Sequence, residues 1–222
     1  STLGLETAPG RDLPVLLWSL AWAQRNSTLK LPLTSLTSQE FWEPLLLRLP
    51  EIGPQGLAML LWSFATLESE GMPVPKVTYR QVLEQVEEQS ISELKAREVA
   101  NITWSVATVQ ATLPTWLTEE LPERARAFGP QECANVLWSL AVLAQADAME
   151  GLLQRLEHES SEGRGPLQDF KGWKPQEMAS AAWALAIALQ RRRGVRSRGT
   201  EVLGRLRQEA VGKVEQLQGK EL

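Results

Sequence analysis

Reactive side chains are scarce in this chain. Its 222 residues include one cysteine, one histidine and one tyrosine. One cysteine excludes an internal disulfide and a cysteine-based metal site. The single histidine, His158, lies in the polar run EHES and reads as a surface residue, because general-base work needs positioned partners. No phosphate-binding glycine loop, dinucleotide fingerprint or metal-ligand spacing is present. The paired carboxylates Glu87–Glu88 and Glu119–Glu120 read as solvated helix faces. No apolar run is long enough to span a membrane, and no useful stretch alternates as a strand would. These absences argue against an enzyme, a cofactor, a resident metal and membrane insertion. The first residue is Ser, not Met, which reads as a mature form, a fragment or a trimmed form.

Tryptophan is plentiful, with nine copies. Five open a recurring phrase of Trp, Ser or Ala, an apolar residue, and Ala. It reads WSLA at Trp18–Ala21, WSFA at Trp62–Ala65, WSVA at Trp104–Ala107, WSLA at Trp138–Ala141 and WALA at Trp183–Ala186. The spacings between these tryptophans are 44, 42, 34 and 45 residues. Self-similarity at about 20–50 residues marks a stacked repeat architecture.

Positions can be counted from the repeat tryptophan. Alanine recurs at −4 (Ala58, Ala100, Ala134, Ala179) and at +3 (Ala21, Ala65, Ala107, Ala141, Ala186). At about 100° per residue these two fall on nearly one line beside the tryptophan. Positions −5, −2, −1 and +2 extend the apolar arc. A helix apolar over most of its circumference is buried on several sides, and the alanines allow a neighbour to approach closely. Pro54, Pro130 and Pro175 suit the first helical position, and Glu132 and Glu177 suit the first turn. In the third copy Ser90 and Glu93 have capping-box spacing, so that helix is expected to start early.

A second, amphipathic helix follows each of these, at about 38–49, 76–89, 115–127, 147–160 and 200–218. The expected fold is all-α, an alpha-solenoid of about five helix-turn-helix repeats. One array over residues 1–222 would hold repeats at about 12–52, 53–92, 93–128, 129–165 and 174–222.

Charge is divided unevenly. Residues 1–162 hold 11 Lys/Arg and 21 Asp/Glu, a net of −10. Residues 163–222 hold 12 and 6, a net of +6. Arg191, Arg192, Arg193, Arg196 and Arg198 crowd together there. The cluster is expected to be a phosphate or acidic-partner contact; the other readings are a helix C-terminus complementing its dipole or a disordered connector.

A polar stripe is the candidate recognition surface. Position −3 varies through Val15, Met59, Asn101, Asn135 and Ser180. Position +1 is nearly constant: Ser19, Ser63, Ser105, Ser139 and Ala184. Residues four apart lie on one helix face, and an Asn can meet a base edge beside a small hydroxyl. The plainer reading of the serines is a hydrogen bond to their own helix carbonyl. The repeat tryptophans read as inter-repeat packing. Cys133, at −5, reads as a small core residue. Of the other tryptophans, Trp173 in a connector is the one freest to touch a ligand, although capping the last repeat is its expected job.

The phrase PQE-x-A-N-x-L-W-S-L-A resembles the octotricopeptide repeat and its relative, the heptatricopeptide repeat. The match covers Gly53–Leu67, Arg97–Val109, Gly129–Leu143 and Lys174–Leu189. The resemblance implies an organellar RNA-binding protein, in mitochondrion or plastid, acting in RNA metabolism or translation. It also implies single-stranded or ribosomal RNA along the first-helix face, and neighbouring proteins of an organellar assembly such as a mitochondrial ribosome. Carried to matching positions, the RNA-facing residues are Met59, Ser63, Asn101, Ser105, Asn135, Ser139 and Ser180. The alternative from another class is a protein-binding scaffold subunit with no sequence-specific RNA contact.

Overall fold

A computed structural model describes residues 8–26, 39–89, 91–161, 165–167, 169–191 and 198–218. They are helical, with no strand among the described residues. The chain packs as two compact units, Ser1–Ala111 and Thr112–Leu222. The boundary falls inside the third repeat.

The first unit holds α1 (Leu13–Asn26), α2 (Gln39–Leu46), α3 (Pro54–Ser69), α4 (Lys76–Glu88) and α5 (Ala96–Thr108). Here α3 lies between α1 and α5, while α4 packs on α2 and α3. The tryptophan-phrase helices thus form one layer and the amphipathic helices another. The second unit holds α6 (Thr115–Arg124), α7 (Pro130–Val142), α8 (Ala146–Ser161), α9 (Pro175–Arg191) and α10 (Arg198–Gln218). The pattern repeats, with α7 against α9 and α8 against α6 and α10.

The apolar arc accounts for these layers. Positions −5 and +2 are buried in α3, α5, α7 and α9, at Leu57, Val99, Cys133 and Met178, and at Phe64, Val106, Leu140 and Leu185. Between the layers of the first unit, Trp42 of α2 is fully buried. Its ring meets Phe41 at 5.0 Å and Phe64 at 4.9 Å, edge to face in both cases. Each such pair adds about 0.5–1.5 kcal/mol beyond the area it buries.

Helix starts follow local chemistry. Pro54, Pro130 and Pro175 each open a helix, as expected. The glutamate at −6 does more than complement a dipole. Its carboxylate accepts the backbone N–H just before the helix: Lys95 to Glu98 at 2.6 Å, Gly129 to Glu132 at 3.1 Å, Lys174 to Glu177 at 2.7 Å. This corrects the early start expected for the third copy. A short 3-10 turn occupies Ile91–Glu93, and α5 begins at Ala96. Ser90 lies outside the described residues.

The second copy has Gly56 at −6. A Cβ there would fall 2.6 Å from Ile52 Cγ2 and 3.1 Å from Pro14 Cγ. The buried Pro14 of α1 fills the room that a glutamate uses elsewhere.

Helix ends are equally regular. Met72, Ala111 and Gln145 donate backbone N–H groups to Leu67, Val106 and Leu140 at 3.0, 3.0 and 2.8 Å. Each closes a Schellman motif whose turning residue has positive φ: Gly71 at 81°, Gln110 at 52°, Ala144 at 55°.

Candidate functional site

The polar stripe splits along its length. At +1 the serine hydroxyl donates to the carbonyl four residues back: Ser19 to Val15 at 2.8 Å, and Ser63, Ser105 and Ser139 to Met59, Asn101 and Asn135 at 2.7 Å. Ser63, Ser105 and Ser139 are fully buried. Their placement corrects the RNA-facing assignment of these three. Positions −3 and +1 are 40° apart on the helix wheel, and the edge of the covered side runs between them. The hydroxyl satisfies the helix's own backbone and keeps the side chain small where a neighbour packs.

At −3 the outcome differs. Met59, Asn101, Asn135 and Ser180 are half-buried. Among the described residues, the Asn101 and Asn135 amides make no hydrogen bond. An unengaged amide on a half-open face retains its donors and its acceptor for a ligand.

The tryptophans supply a feature that sequence reasoning missed. Trp18, Trp62 and Trp104 form a ladder on the first-helix face of the first unit. Ring centroids are 6.4 Å apart at both rungs, with planes at 36° and 30°. They do pack between repeats, yet none is fully covered. Trp18 is 40% exposed, and Trp62 and Trp104 are half-buried. The signal was present in the pattern, since the tryptophan lies only 20° from the polar −7 position.

The ladder borders a cleft of about 300 Å³, lined by Trp18, Gln55, Ala58, Met59, Trp62, Arg97, Glu98 and Asn101. Its walls carry flat aromatic surface, a free amide and a cation. Glu98 is spent on its backbone cap and is only 6% exposed. Arg97 and the neighbouring Lys95 are exposed, and neither forms an ion pair among the described residues. The exposed cations Arg97 and Lys95 thus stand beside one covered carboxylate, Glu98. Such a surface can stack a planar ring, hydrogen-bond its edge and attract an anion.

The arginine cluster is described in part. Arg191 is exposed, and its Nη1 donates to the Ala141 carbonyl at 2.9 Å. It thereby complements the C-terminal end of α7, the neighbour of its own helix. Arg192, Arg193 and Arg196 lie outside the described residues. Arg198 opens α10, and its side chain is likewise outside them.

Other candidates are structural. Trp173 is buried, its indole N–H donating to the Pro166 carbonyl at 3.1 Å and its ring edge-on to Phe170 at 5.2 Å. Cys133 is fully buried, and burial pushes its thiol far up from the ordinary range. His158 is exposed on α8. Among the described residues no helix is long and apolar enough to cross a membrane. No protein-family model, curated protein or solved structure matches the chain.

Proposed function

We propose that the chain is an organellar RNA-binding helical-repeat protein, non-catalytic, acting in RNA metabolism or translation. The finer reading of its fold belongs to the same proposal: one alpha-solenoid of five helix-turn-helix repeats, resting on the repeat register. Its location would be mitochondrion or plastid. The observation that carries the reading is the half-open ladder of Trp18, Trp62 and Trp104 beside the free amide of Asn101 and the unpaired Arg97. Aromatic platforms that hold successive bases, with cations tracking the backbone, are how single strands are bound. Amides at −3, varying from repeat to repeat, supply edge recognition.

The test is selection from a randomised single-stranded RNA pool at two salt concentrations. A short motif enriched at both salts is expected. Trp62→Ala should weaken every sequence by roughly 1–3 kcal/mol, as loss of a stacking platform does. Asn101→Ala should cost roughly 1–3 kcal/mol for one base and little for the others. Absence of RNA binding would sink the reading. A protein-binding scaffold is the second reading, favoured by the net charge of −10 over residues 1–162. There the same substitutions would release a polypeptide partner and leave RNA recovery unchanged.

A further inference from the structure

The tryptophan ladder and a stacked nucleic-acid strand are out of step. Trp18, Trp62 and Trp104 follow one another at 6.4 Å on both rungs. Bases stacked along one strand follow one another at about 3.4 Å. A strand in that form sets only every second base against a ring. Its bases also lie near parallel, whereas the ring planes turn by 36° and 30° from rung to rung. For three successive bases to rest on three rings, the strand must be drawn out to about twice its stacked rise. Its bases then part from one another.

Drawing a strand out costs the stacking between its own bases, and that cost depends on the base. Adjacent purines, each with two fused rings, overlap more than adjacent pyrimidines and resist more. A wide platform would return the loss, because a purine also covers more of an indole. These platforms are narrow. Trp18 is 40% exposed, Trp62 and Trp104 are half-buried, and each has another indole beside it. One six-membered ring covers the surface left open, so the second ring of a purine gains little. The amides of Gln55 and Asn101 on the cleft wall do not reverse this balance. Each offers both donors and an acceptor, which suits a pyrimidine edge as well as a purine one.

Taking the RNA reading of this face as given, we propose that the ladder selects pyrimidine-rich single strands, uridine runs above all, by holding successive bases apart. Self-stacked strands such as adenosine runs are the disfavoured class. All three rings lie within the first unit, so the selection belongs to that unit alone.

Fluorescence anisotropy of labelled uridine and adenosine oligonucleotides of about twelve nucleotides, titrated with the full chain at one salt concentration, tests this. The uridine oligonucleotide should bind about fivefold or more tightly, and warming should narrow the gap as the adenosine stack melts. Saturating protein should also abolish the stacked circular dichroism band of the adenosine oligonucleotide. Trp62→Ala removes the middle rung and lets a strand restack across it. It should weaken the uridine oligonucleotide more than the adenosine one and shrink their ratio by about twofold or more. Trp18→Ala, at the most exposed rung, should shrink the ratio in the same sense and keeps the test open if loss of Trp62 unfolds the chain, which thermal melts will show. Equal affinities, tighter adenosine binding, or a bound adenosine strand that keeps its stacked band would overturn the spacing proposal and leave the RNA reading standing. Binding of neither oligonucleotide would overturn the RNA reading itself.

Discussion

Ala144 turns the chain out of α7 at φ 55°, a conformation in which its Cβ crowds the following carbonyl. Glycine is free of that strain but gives the unfolded chain more entropy to lose. The strain should win, so Ala144→Gly is expected to raise stability by about 0.5–1 kcal/mol, read as a higher urea midpoint at unchanged slope. Gly71 already holds the equivalent turn after α3. A second residue-scale expectation concerns Ser139. Its hydroxyl serves only its own helix, so Ser139→Ala should change stability by less than about 1 kcal/mol and leave the selected RNA motif intact. Asn135, four residues back, should alter the motif at one base. The sequence placed these two residues on one stripe because the wheel angle between them is small. It could not show that the covering neighbour ends between them, since that depends on where the adjacent helix lies.

At the scale of elements, the helices were largely legible. The second helices were expected at 76–89 and 147–160, and they form at Lys76–Glu88 and Ala146–Ser161. Period-3.6 patterning and proline punctuation carry that information locally. The capping glutamates were seen only as first-turn charges, because a reach back to a backbone N–H depends on the entry angle of the chain. Glu177→Ala removes the acceptor for the Lys174 N–H and should cost about 0.5–2 kcal/mol, the usual range for losing a helix cap. Gly56 makes the opposite point. Helix propensity favours alanine there by about 1 kcal/mol, yet Ile52 and Pro14 occupy the space. Overpacking should dominate, and Gly56→Ala is expected to lower the thermal midpoint through a loss of about 1–3 kcal/mol.

At the scale of the whole molecule, the packing of tryptophan-phrase helices inside each unit follows from the register of Trp and Ala, but the open aromatic ladder does not. A tryptophan flanked by leucine and alanine looks fully covered until the groove between adjacent helices is seen. The same helices bury two acids that stay protonated in the fold, and these set its response to alkali. Burial holds the Cys133 thiol far above its ordinary range, with the nearby Glu132 charge adding to the effect. Burial likewise holds the Tyr79 phenol well above its ordinary value, opposed by the nearby Ser105 hydroxyl and reinforced by the Glu68 charge. In the unfolded chain the two ionise near about 8.5 and about 10. The unfolded state therefore releases these protons first, and stability must fall as pH rises through that window. Their contribution is complete below about pH 8, declines first with Cys133 and then more steeply with Tyr79. Glu68 changes nothing in that range: burial raises its carboxyl against the opposing charge of Lys76, so its effect lies at acid pH, where protonation favours the fold. Urea midpoints measured from pH 7 to 10.5 should show a two-stage decline. Cys133→Val, the residue that position −5 already carries in α5, should keep the midpoint flat until about pH 9.5 and leave only the phenol's stage. If the variant and the parent chain declined together from pH 8, the buried thiol would not be the group responsible.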